Sequence, residues 1–291
     1  DAHMRGPSAA THRPMTDRSP TSHTDARRSG DALTGAAGQP VDRLAVLRLS
    51  DAAQLADLLR REPVNPVDGS DAAMDGLLEQ ALQARTGLNR RVFALVRPDD
   101  PSRVRTVVWV ALTHGVPTSL TRITEPPGRS EDAGPLDTAV FWSIWNDDTG
   151  VAGQGRGGDL ILGAAEQLRE ELPTLTTFVT LSPAPGFRHH LEQSDPDAPE
   201  RPASISADAA RYLTTLDASG SPIDPVARFH LRNGARLWRV VPDADLSERG
   251  MTRSFGLLVN YRYAPEDLAA NRAQLADGTP ALGEQVAALL A

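Results

Sequence analysis

Thr138–Asn146 reads Thr-Ala-Val-Phe-Trp-Ser-Ile-Trp-Asn and is apolar at nearly every position. A β-strand directs successive side chains to opposite faces of its sheet, so a run that is apolar at both sets of positions predicts a strand buried on both faces. Such a strand lies at the centre of a sheet that is covered on each side. This segment therefore predicts an α/β protein with a covered sheet.

The segments around this central strand predict the order β-α-α-β-β-β-loop-α-β. Before it we predict strands over 44–49, 92–97 and 104–113, the last two joined as a hairpin by Pro98–Ser102, and helices from Ser50-Asp51 to Arg61 and over 71–84. After it we predict helices over 159–171, 186–193, 207–216 and 279–291 and strands over 178–181, 236–241 and 255–263. The prediction is one α/β domain with a mixed sheet.

Residues 1–42 differ in composition from the rest of the chain. They are rich in Ser, Thr, Gly, Pro, Arg and Asp and contain few aliphatic residues. A segment this poor in apolar side chains does not bury enough surface to order itself, so we predict a disordered leader. Its first residues, Asp1–Met4, resemble a cloning remnant. A transit peptide is the alternative, which the interspersed aspartates disfavour. Residues 43–291 are predicted to form the folded domain.

The composition excludes several classes of function. The 291 residues include no cysteine, which rules out thiol nucleophiles, thiolate metal ligands and disulfides and fits a reducing cytoplasm. The chain has no run of about 18 apolar residues, so we predict no membrane span. The net charge of -8 argues against a nucleic-acid partner, but helix N-termini and local arginines still allow a small anionic ligand. Abundant Ala and Arg without any lysine is typical of a GC-rich bacterial genome.

A glycine-rich segment, Gln154-Gly155-Arg156-Gly157-Gly158, lies between the central strand and the helix predicted over 159–171. Glycines let consecutive backbone N–H groups point into one loop, and the helix dipole adds positive potential, so the segment suits a pyrophosphate. A loop that needs only flexibility is the alternative. In this element order the segment resembles the Gln/Arg-x-x-Gly-x-Gly/Ala loop that holds coenzyme A in the GNAT (N-acetyltransferase) fold, although Asp159 occupies the sixth place.

A serine and a histidine stand out further along the chain. Ser182 ends the strand predicted over 178–181 and is followed by Pro-Ala-Pro-Gly, which predicts a hydroxyl on a rigid turn. His230 lies in an apolar run just before an Asn-Gly turn signal. Taken singly, a turn serine and a hydrogen-bonded core histidine are the ordinary explanations. Together, on two rigid elements, they are suited to handling a carboxylate or an enolate.

The residues around these two positions resemble the malonyl-CoA decarboxylase family. The resemblance rests on blocks in the family's order and at similar spacing: Val110–Thr113, Thr138–Ile144, Leu181–Phe187, Asp224–Ala235 and Gly256–Tyr263. It implies a catalytic domain of the GNAT fold that turns malonyl-CoA into acetyl-CoA and CO₂ with no metal, biotin or other cofactor. It also implies Ser182 and His230 as the catalytic pair, Tyr263 in the same pocket, and coenzyme A on the segment from Gln154 to Gly158.

The sequence departs from the family pattern at two places. A glutamate that the family carries near the glycine loop falls at about Gly155. Family members also carry a sizeable helical domain before the catalytic one, whereas only two short helices precede the predicted hairpin. The resemblance therefore implies neither an oligomeric state nor a route for substrate delivery.

The chemistry implied by the resemblance is loss of CO₂ through an enolate. We expect a backbone N–H of the central strand near Trp142–Trp145 to bind the thioester oxygen, and His230, with a near-neutral pKa, to help protonate C2. No metal site is expected, since the adjacent His189 and His190 point to different faces of a helix.

Three other functions are compatible with the same residues. The first is a decarboxylase acting on a malonyl or methylmalonyl acyl carrier protein in polyketide or fatty-acid biosynthesis. The second is an acyltransferase of the same fold. The third, from a different class, is a non-catalytic acyl-CoA-binding protein, which the joint presence of Ser182, His230 and Tyr263 disfavours.

Overall fold

The strands pair into one sheet in a computed structural model that describes residues 44–62, 71–124, 134–146, 157–194 and 203–291, without the side chains of 71–78. The strands are β1 (Ala45–Leu49), β2 (Arg90–Arg97), β3 (Asp100–Thr113), β4 (Thr138–Asn146), β5 (Thr177–Thr180), β6 (Ser182–Pro183), β7 (Arg236–Val241) and β8 (Leu258–Arg262). The helices are α1 (Ala52–Arg61), α2 (Asp71–Thr86), α3 (Thr121–Thr124), α4 (Gly157–Glu171), α5 (Phe187–Ser194), α6 (Ile205–Thr214), α7 (Pro225–Arg232), α8 (Glu248–Ser254), α9 (Leu268–Ala276) and α10 (Glu284–Leu290). The predicted leader lies outside the described residues.

The sheet is mixed, with β4 near its middle. Its order is β1-β2-β3-β4-β5-β8, and β8 pairs with β6 along one edge and with β7 along the other. The pairing of β4 with β5 is parallel, and the other strand pairs in the described part of the chain are antiparallel. The predicted α/β class and the predicted order of strands and helices up to β5 are confirmed, with the short α3 inserted before β4. The predicted loop after β4 lies mostly outside the described residues.

Both faces of β4 are buried, as the apolar pattern predicts. Phe141 and Ile144 pack on one face, with residues of α4 and α7, and we call this the α4 face. Trp142 and Trp145 pack on the opposite face with leucines of α1, and we call this the α1 face. The burial of apolar side chains on both faces is what makes this strand the centre of the fold.

The parallel strands β4 and β5 separate part-way along their length. Their pairing runs from Thr138 opposite Thr177 to Phe141 opposite Thr180, and the N–H of Leu181 still donates to the Phe141 carbonyl over 3.2 Å. From Trp142 onward, among the described residues, β4 pairs with β3 alone. An open edge of β4 therefore faces the position where the chain leaves β5.

The chain after β5 differs from its prediction. The strand predicted to end in a turn at Ser182 breaks instead at Leu181. Beyond this break the chain no longer pairs with β4 but still pairs with β8, since β6 places Ser182 opposite Val259. Helix α7 was not predicted, although an N-capping Asp224 followed by Pro225 is a typical start of a helix. Helices α8 and α9 were not predicted either, because the apolar pattern of each extends over few residues.

Candidate active site

The three predicted catalytic residues lie together as one hydrogen-bonded chain. The Ser182 Oγ is 3.0 Å from the Nε2 of His230, and the Nδ1 of His230 is 2.8 Å from the Tyr263 hydroxyl. Each side chain is almost completely buried, with 6% of Ser182, 4% of His230 and 1% of Tyr263 exposed. Residues 48 and 33 positions apart in sequence are thus brought into direct contact.

Each member of the chain is held by a different element. Ser182 lies in β6, directly opposite Val259, so its side chain points to the α4 face of the sheet, where Val259 packs. His230 lies on α7, which packs against the same face through Ala227 and Leu231. Tyr263 follows β8, and its backbone N–H donates to the Phe178 carbonyl of β5 over 2.8 Å. The site is therefore built on secondary structure rather than on loops.

Thr180 extends the hydrogen-bonded chain of side chains and shows in which direction its hydrogen bonds are donated. The Ser182 hydroxyl donates to the Thr180 Oγ1 over 2.9 Å. Because a serine hydroxyl has a single proton, Ser182 then accepts from His230, so the imidazole proton lies on Nε2 and Nδ1 accepts from the Tyr263 hydroxyl. The polarity runs from Tyr263 through His230 and Ser182 to Thr180. A serine in this arrangement is a hydrogen-bond donor, not a nucleophile activated by the histidine.

Burial controls the protonation of the site. Desolvation lowers the pKa of His230 from 6.5 to about 3, so the near-neutral pKa expected from the sequence is wrong. Desolvation also raises the pKa of the Tyr263 hydroxyl far above its ordinary value. The imidazole and the phenol are consequently both neutral in the physiological pH range.

The buried imidazole predicts a specific loss of stability in acid. Since the folded protein binds the His230 proton only near pH 3 and an unfolded histidine binds it near 6.5, the unfolded state takes up more protons between these values. The free energy of unfolding should therefore fall as the pH is lowered through this window, by up to about 1.4 kcal/mol per pH unit from this residue. Urea unfolding of the wild type and of His230→Gln between pH 4 and 7 measures the difference, and parallel curves would contradict it.

The imidazole is also fixed by its neighbours. The ring of Tyr261 stacks on His230 with a centroid distance of 4.4 Å and an interplanar angle of 25°, and the Phe229 ring contacts it edge-on at 4.9 Å. Asn260 donates from Nδ2 to the Thr180 carbonyl over 2.7 Å. No role was predicted for Thr180, Asn260 or Tyr261, although two of them belong to the Gly256–Tyr263 block.

Asp224 connects three elements around the site. Its Oδ1 caps α7 by accepting from the N–H groups of Val226 and Ala227, and its Oδ2 accepts from the Tyr212 hydroxyl of α6 over 3.0 Å. The N–H of Gly186, in the turn after Ser182, also favours the charged form of this carboxylate. Burial raises the pKa of this carboxyl above its ordinary value. This network fixes the helix that carries His230 relative to the Ser182 turn.

Two of the five residues of the predicted coenzyme A segment are visible in the structure. Gly157 and Gly158 form the first turn of α4, whereas Gln154, Gly155 and Arg156 lie outside the described residues. A Cβ on Gly157 would lie 2.6 Å from the Phe229 ring, and one on Gly158 would collide with the Asn233 side chain. Both glycines therefore allow α7 to approach the start of α4, so the predicted ligand segment and the His230 helix are in contact.

The stretch of β4 predicted to bind the thioester oxygen lies at the opening between β4 and β5. Ser143, in its middle, has a φ of 50° and forms a bulge, since Trp109 faces Trp142 and Val108 faces Ile144. Trp142 and Trp145 are buried on the α1 face. Bulges re-aim the backbone next to functional sites, and this one adjoins the point where the two strands part.

Two further findings concern the described residues only. No helix among them is long and apolar enough to cross a membrane. They contain no group of three or more His, Asp or Glu side chains placed to hold a metal ion. His189 is exposed and His190 packs on the Tyr212 ring, at a centroid distance of 4.9 Å.

The fold and the site define an α/β protein with a mixed eight-stranded sheet and a buried Ser-His-Tyr chain beside the separating strands. The family model for the malonyl-CoA decarboxylase C-terminal domain matches residues 52–206 and 195–291. This chain therefore belongs to the malonyl-CoA decarboxylase family.

Relatives of known sequence agree with this assignment. The chain is 30% identical to the mitochondrial malonyl-CoA decarboxylase of Anser anser anser over 240 residues, which cover 66% of this chain and 48% of the relative. The corresponding enzyme of Rattus norvegicus is 29% identical over 238 residues, covering 65% and 48%. The chain thus spans about half the length of these curated relatives.

Solved structures agree as well. The crystal structure of malonyl-CoA decarboxylase from Agrobacterium vitis has a TM-score of 0.73 and 32% identity, covering 85% of this chain and 67% of that one. The enzyme from Rhodopseudomonas palustris has a TM-score of 0.69 and 32% identity, covering 85% and 66%.

Proposed function

We propose that residues 43–291 are a catalytic domain that decarboxylates malonyl-CoA to acetyl-CoA and CO₂. The observation that carries the proposal is the buried chain of Ser182, His230 and Tyr263 at the opening between β4 and β5, in a member of this family. The proposal requires a coenzyme A thioester as substrate and no separate cofactor. The segment from Gln154 to Gly158 is proposed to hold the pyrophosphate.

The proposed reaction starts with cleavage of the bond between C2 and the carboxylate. Its electron pair moves into the thioester as an enolate, and CO₂ leaves. Because the new charge resides on the thioester oxygen, N–H groups of the β4 stretch from Trp142 to Trp145 would stabilise the transition state more than the ground state. The developing enolate is what the site has to bind.

Ser182 and His230 are proposed to hold the carboxylate twisted out of the plane of the thioester. In that geometry the breaking bond overlaps the carbonyl π system, so its electron pair can delocalise. The low-dielectric surroundings favour the step, since the localised charge of a carboxylate is lost as CO₂ forms. The neutral imidazole suits this role because its Nε2 proton is donated to the Ser182 Oγ, so the Ser182 hydroxyl proton can turn from Thr180 to the carboxylate.

Protonation of C2 is proposed to use the same chain. Ser182 gives its proton to C2 and takes the Nε2 proton of His230, while Nδ1 takes the phenol proton of Tyr263, which later regains one from water. The enolate carbon is a much stronger base than a phenolate oxygen. The transfer therefore runs toward carbon even though burial raises the pKa of Tyr263.

Mass spectrometry of acyl thioesters after incubation with the purified protein tests the proposal. We expect malonyl-CoA to lose the mass of CO₂ and to appear as acetyl-CoA, with methylmalonyl-CoA and the malonyl and methylmalonyl carrier proteins as parallel substrates. Loss of CO₂ from the carrier-bound forms alone would assign a carrier-protein decarboxylase. Acetyl transfer without CO₂ would assign an acyltransferase, and binding of unchanged malonyl-CoA would assign a binding protein.

A further inference from the structure

The bulge in β4 places a serine in a conformation that serine rarely adopts. The φ of 50° at Ser143 is in the left-handed region, where a Cβ crowds the backbone. The bulge leaves the burial pattern intact on both sides, since Trp142 packs on the α1 face and Ile144 on the α4 face. Such a residue keeps its conformation only where its surroundings hold it there.

A buried ion pair holds Ser143 from the α1 face. The Ser143 hydroxyl donates to the Oε1 of Glu62, the residue that follows α1. The other carboxylate oxygen of Glu62 lies 2.9 Å from the Nη2 of Arg85, near the end of α2. The two charged side chains are only 0% and 7% exposed.

Two tryptophans of the sheet contact the guanidinium of Arg85. The Arg85 Cζ lies 4.9 Å from the ring centroid of Trp142 and 5.2 Å from that of Trp109. These are the residues that face each other across β3 and β4 at the bulge. The ion pair is thus anchored to the bulge through both the serine and the rings.

Stability alone does not explain a charge pair in this position. Taking two charges out of water is costly, and apolar side chains of similar volume stabilise a core at least as well. What the pair supplies is a fixed, directional contact to one residue of β4. The helix that carries His230 packs on the α4 face, so this contact approaches the site from the opposite, α1 face of the sheet.

We propose that the Glu62–Arg85 pair is a positioning device that holds the Ser143 bulge and thereby aims the β4 N–H groups at the thioester carbonyl. The inference rests on the proposed function and adds residues that contact no part of the substrate. Glu62 and Arg85 act through Ser143, so their loss should weaken recognition of the carbonyl oxygen without weakening recognition of the coenzyme A portion.

A pair of ligands that differ in one oxygen tests this inference. Acetyl-CoA has the thioester carbonyl, and the thioether S-ethyl-CoA lacks it. We expect the wild type to bind acetyl-CoA about three- to tenfold more tightly, the effect of one hydrogen bond. Glu62→Gln and Ser143→Ala should bring this ratio close to one while the affinity for S-ethyl-CoA stays constant, as measured by isothermal titration calorimetry.

Ser143→Gly separates the conformation from the hydrogen bond. Glycine adopts a positive φ without strain, so this variant should keep the bulge and regain most of the ratio that Ser143→Ala loses. Asp57→Asn, which removes the exposed ion pair with Arg61 on α1, is the matched control and should leave the ratio unchanged.

The outcomes distinguish this inference from the proposed function. If Glu62→Gln, Ser143→Ala and Ser143→Gly all keep the wild-type ratio, the positioning role is wrong and the decarboxylase proposal stands. If Ser143→Gly loses as much as Ser143→Ala, the conformation of the bulge is not what matters and the inference is again wrong. If the wild type binds neither ligand and releases no CO₂ from malonyl-CoA, the proposed function itself fails.

Discussion

Replacing His230 by alanine is expected to lower the turnover of malonyl-CoA by about 10²- to 10⁴-fold, while coenzyme A binds with unchanged affinity. The imidazole is the only link between Tyr263 and Ser182 in the described hydrogen-bonded chain, so its loss interrupts both the hold on the carboxylate and the proton path. The coenzyme A portion is proposed to bind at the glycine segment and does not depend on the imidazole. Steady-state CO₂ release and calorimetric binding of coenzyme A measure the two effects.

The exposed His189 supplies the matched control for this prediction. His189→Ala removes an imidazole of the same size from α5 and should leave turnover within experimental error. Tyr263→Phe keeps the ring and removes the phenol proton, so it should slow C2 protonation and leave the packing of His230 unchanged. Turnover of His230→Ala within a few-fold of the wild type would show that the Ser-His-Tyr chain is not catalytic.

The second large effect is expected from Asp224→Ala, which should lower the free energy of unfolding by about 3–5 kcal/mol. Three donors lose their acceptor together: the N–H groups of Val226 and Ala227 and the Tyr212 hydroxyl. The Asp224 side chain is completely buried, so water does not readily replace it. Urea denaturation followed by circular dichroism measures the change.

Another helix-capping aspartate tests whether burial is the cause. Asp51 caps α1 through one bond to the Gln54 N–H at an exposed site, and Asp51→Ala should cost about 1 kcal/mol. Asp224→Asn keeps a side chain that caps well and should recover much of the lost stability. Equal losses for Asp224→Ala and Asp51→Ala would mean that Asp224 is an ordinary cap and not the connection between α6, α7 and the Ser182 turn.

Features that depend on residues close in sequence were predicted correctly more often than features that depend on residues far apart in sequence. Thr138–Asn146 was predicted as a central strand and is β4, because alternation along one strand reports burial on both faces directly. α7 was missed because its apolar run is only two turns long, although Asp224-Pro225 marks its start. The helix predicted over 159–171 begins two residues earlier, at Gly157, where the sequence suggested a loop.

The residues of the candidate site were likewise predicted only in part. Ser182, His230 and Tyr263 were identified from the sequence blocks that contain them, and the structure brings all three into contact. Thr180 and Asp224 received no role, because their contacts with Tyr261 and Tyr212 join residues that only folding brings close. The pKa of His230 was misjudged for a related reason, since desolvation depends on what surrounds the ring and not on its sequence neighbours.

By itself the sequence determined the α/β class, the buried centre of the sheet, the family and the identity of the three linked residues. Local periodicity and short blocks of residues carry that information. Only the tertiary structure decided the polarity of the hydrogen-bonded chain, the neutral imidazole and the ion pair that reaches the Ser143 bulge from the α1 face. Those properties depend on distances and burial between elements far apart in the chain, which no local pattern encodes.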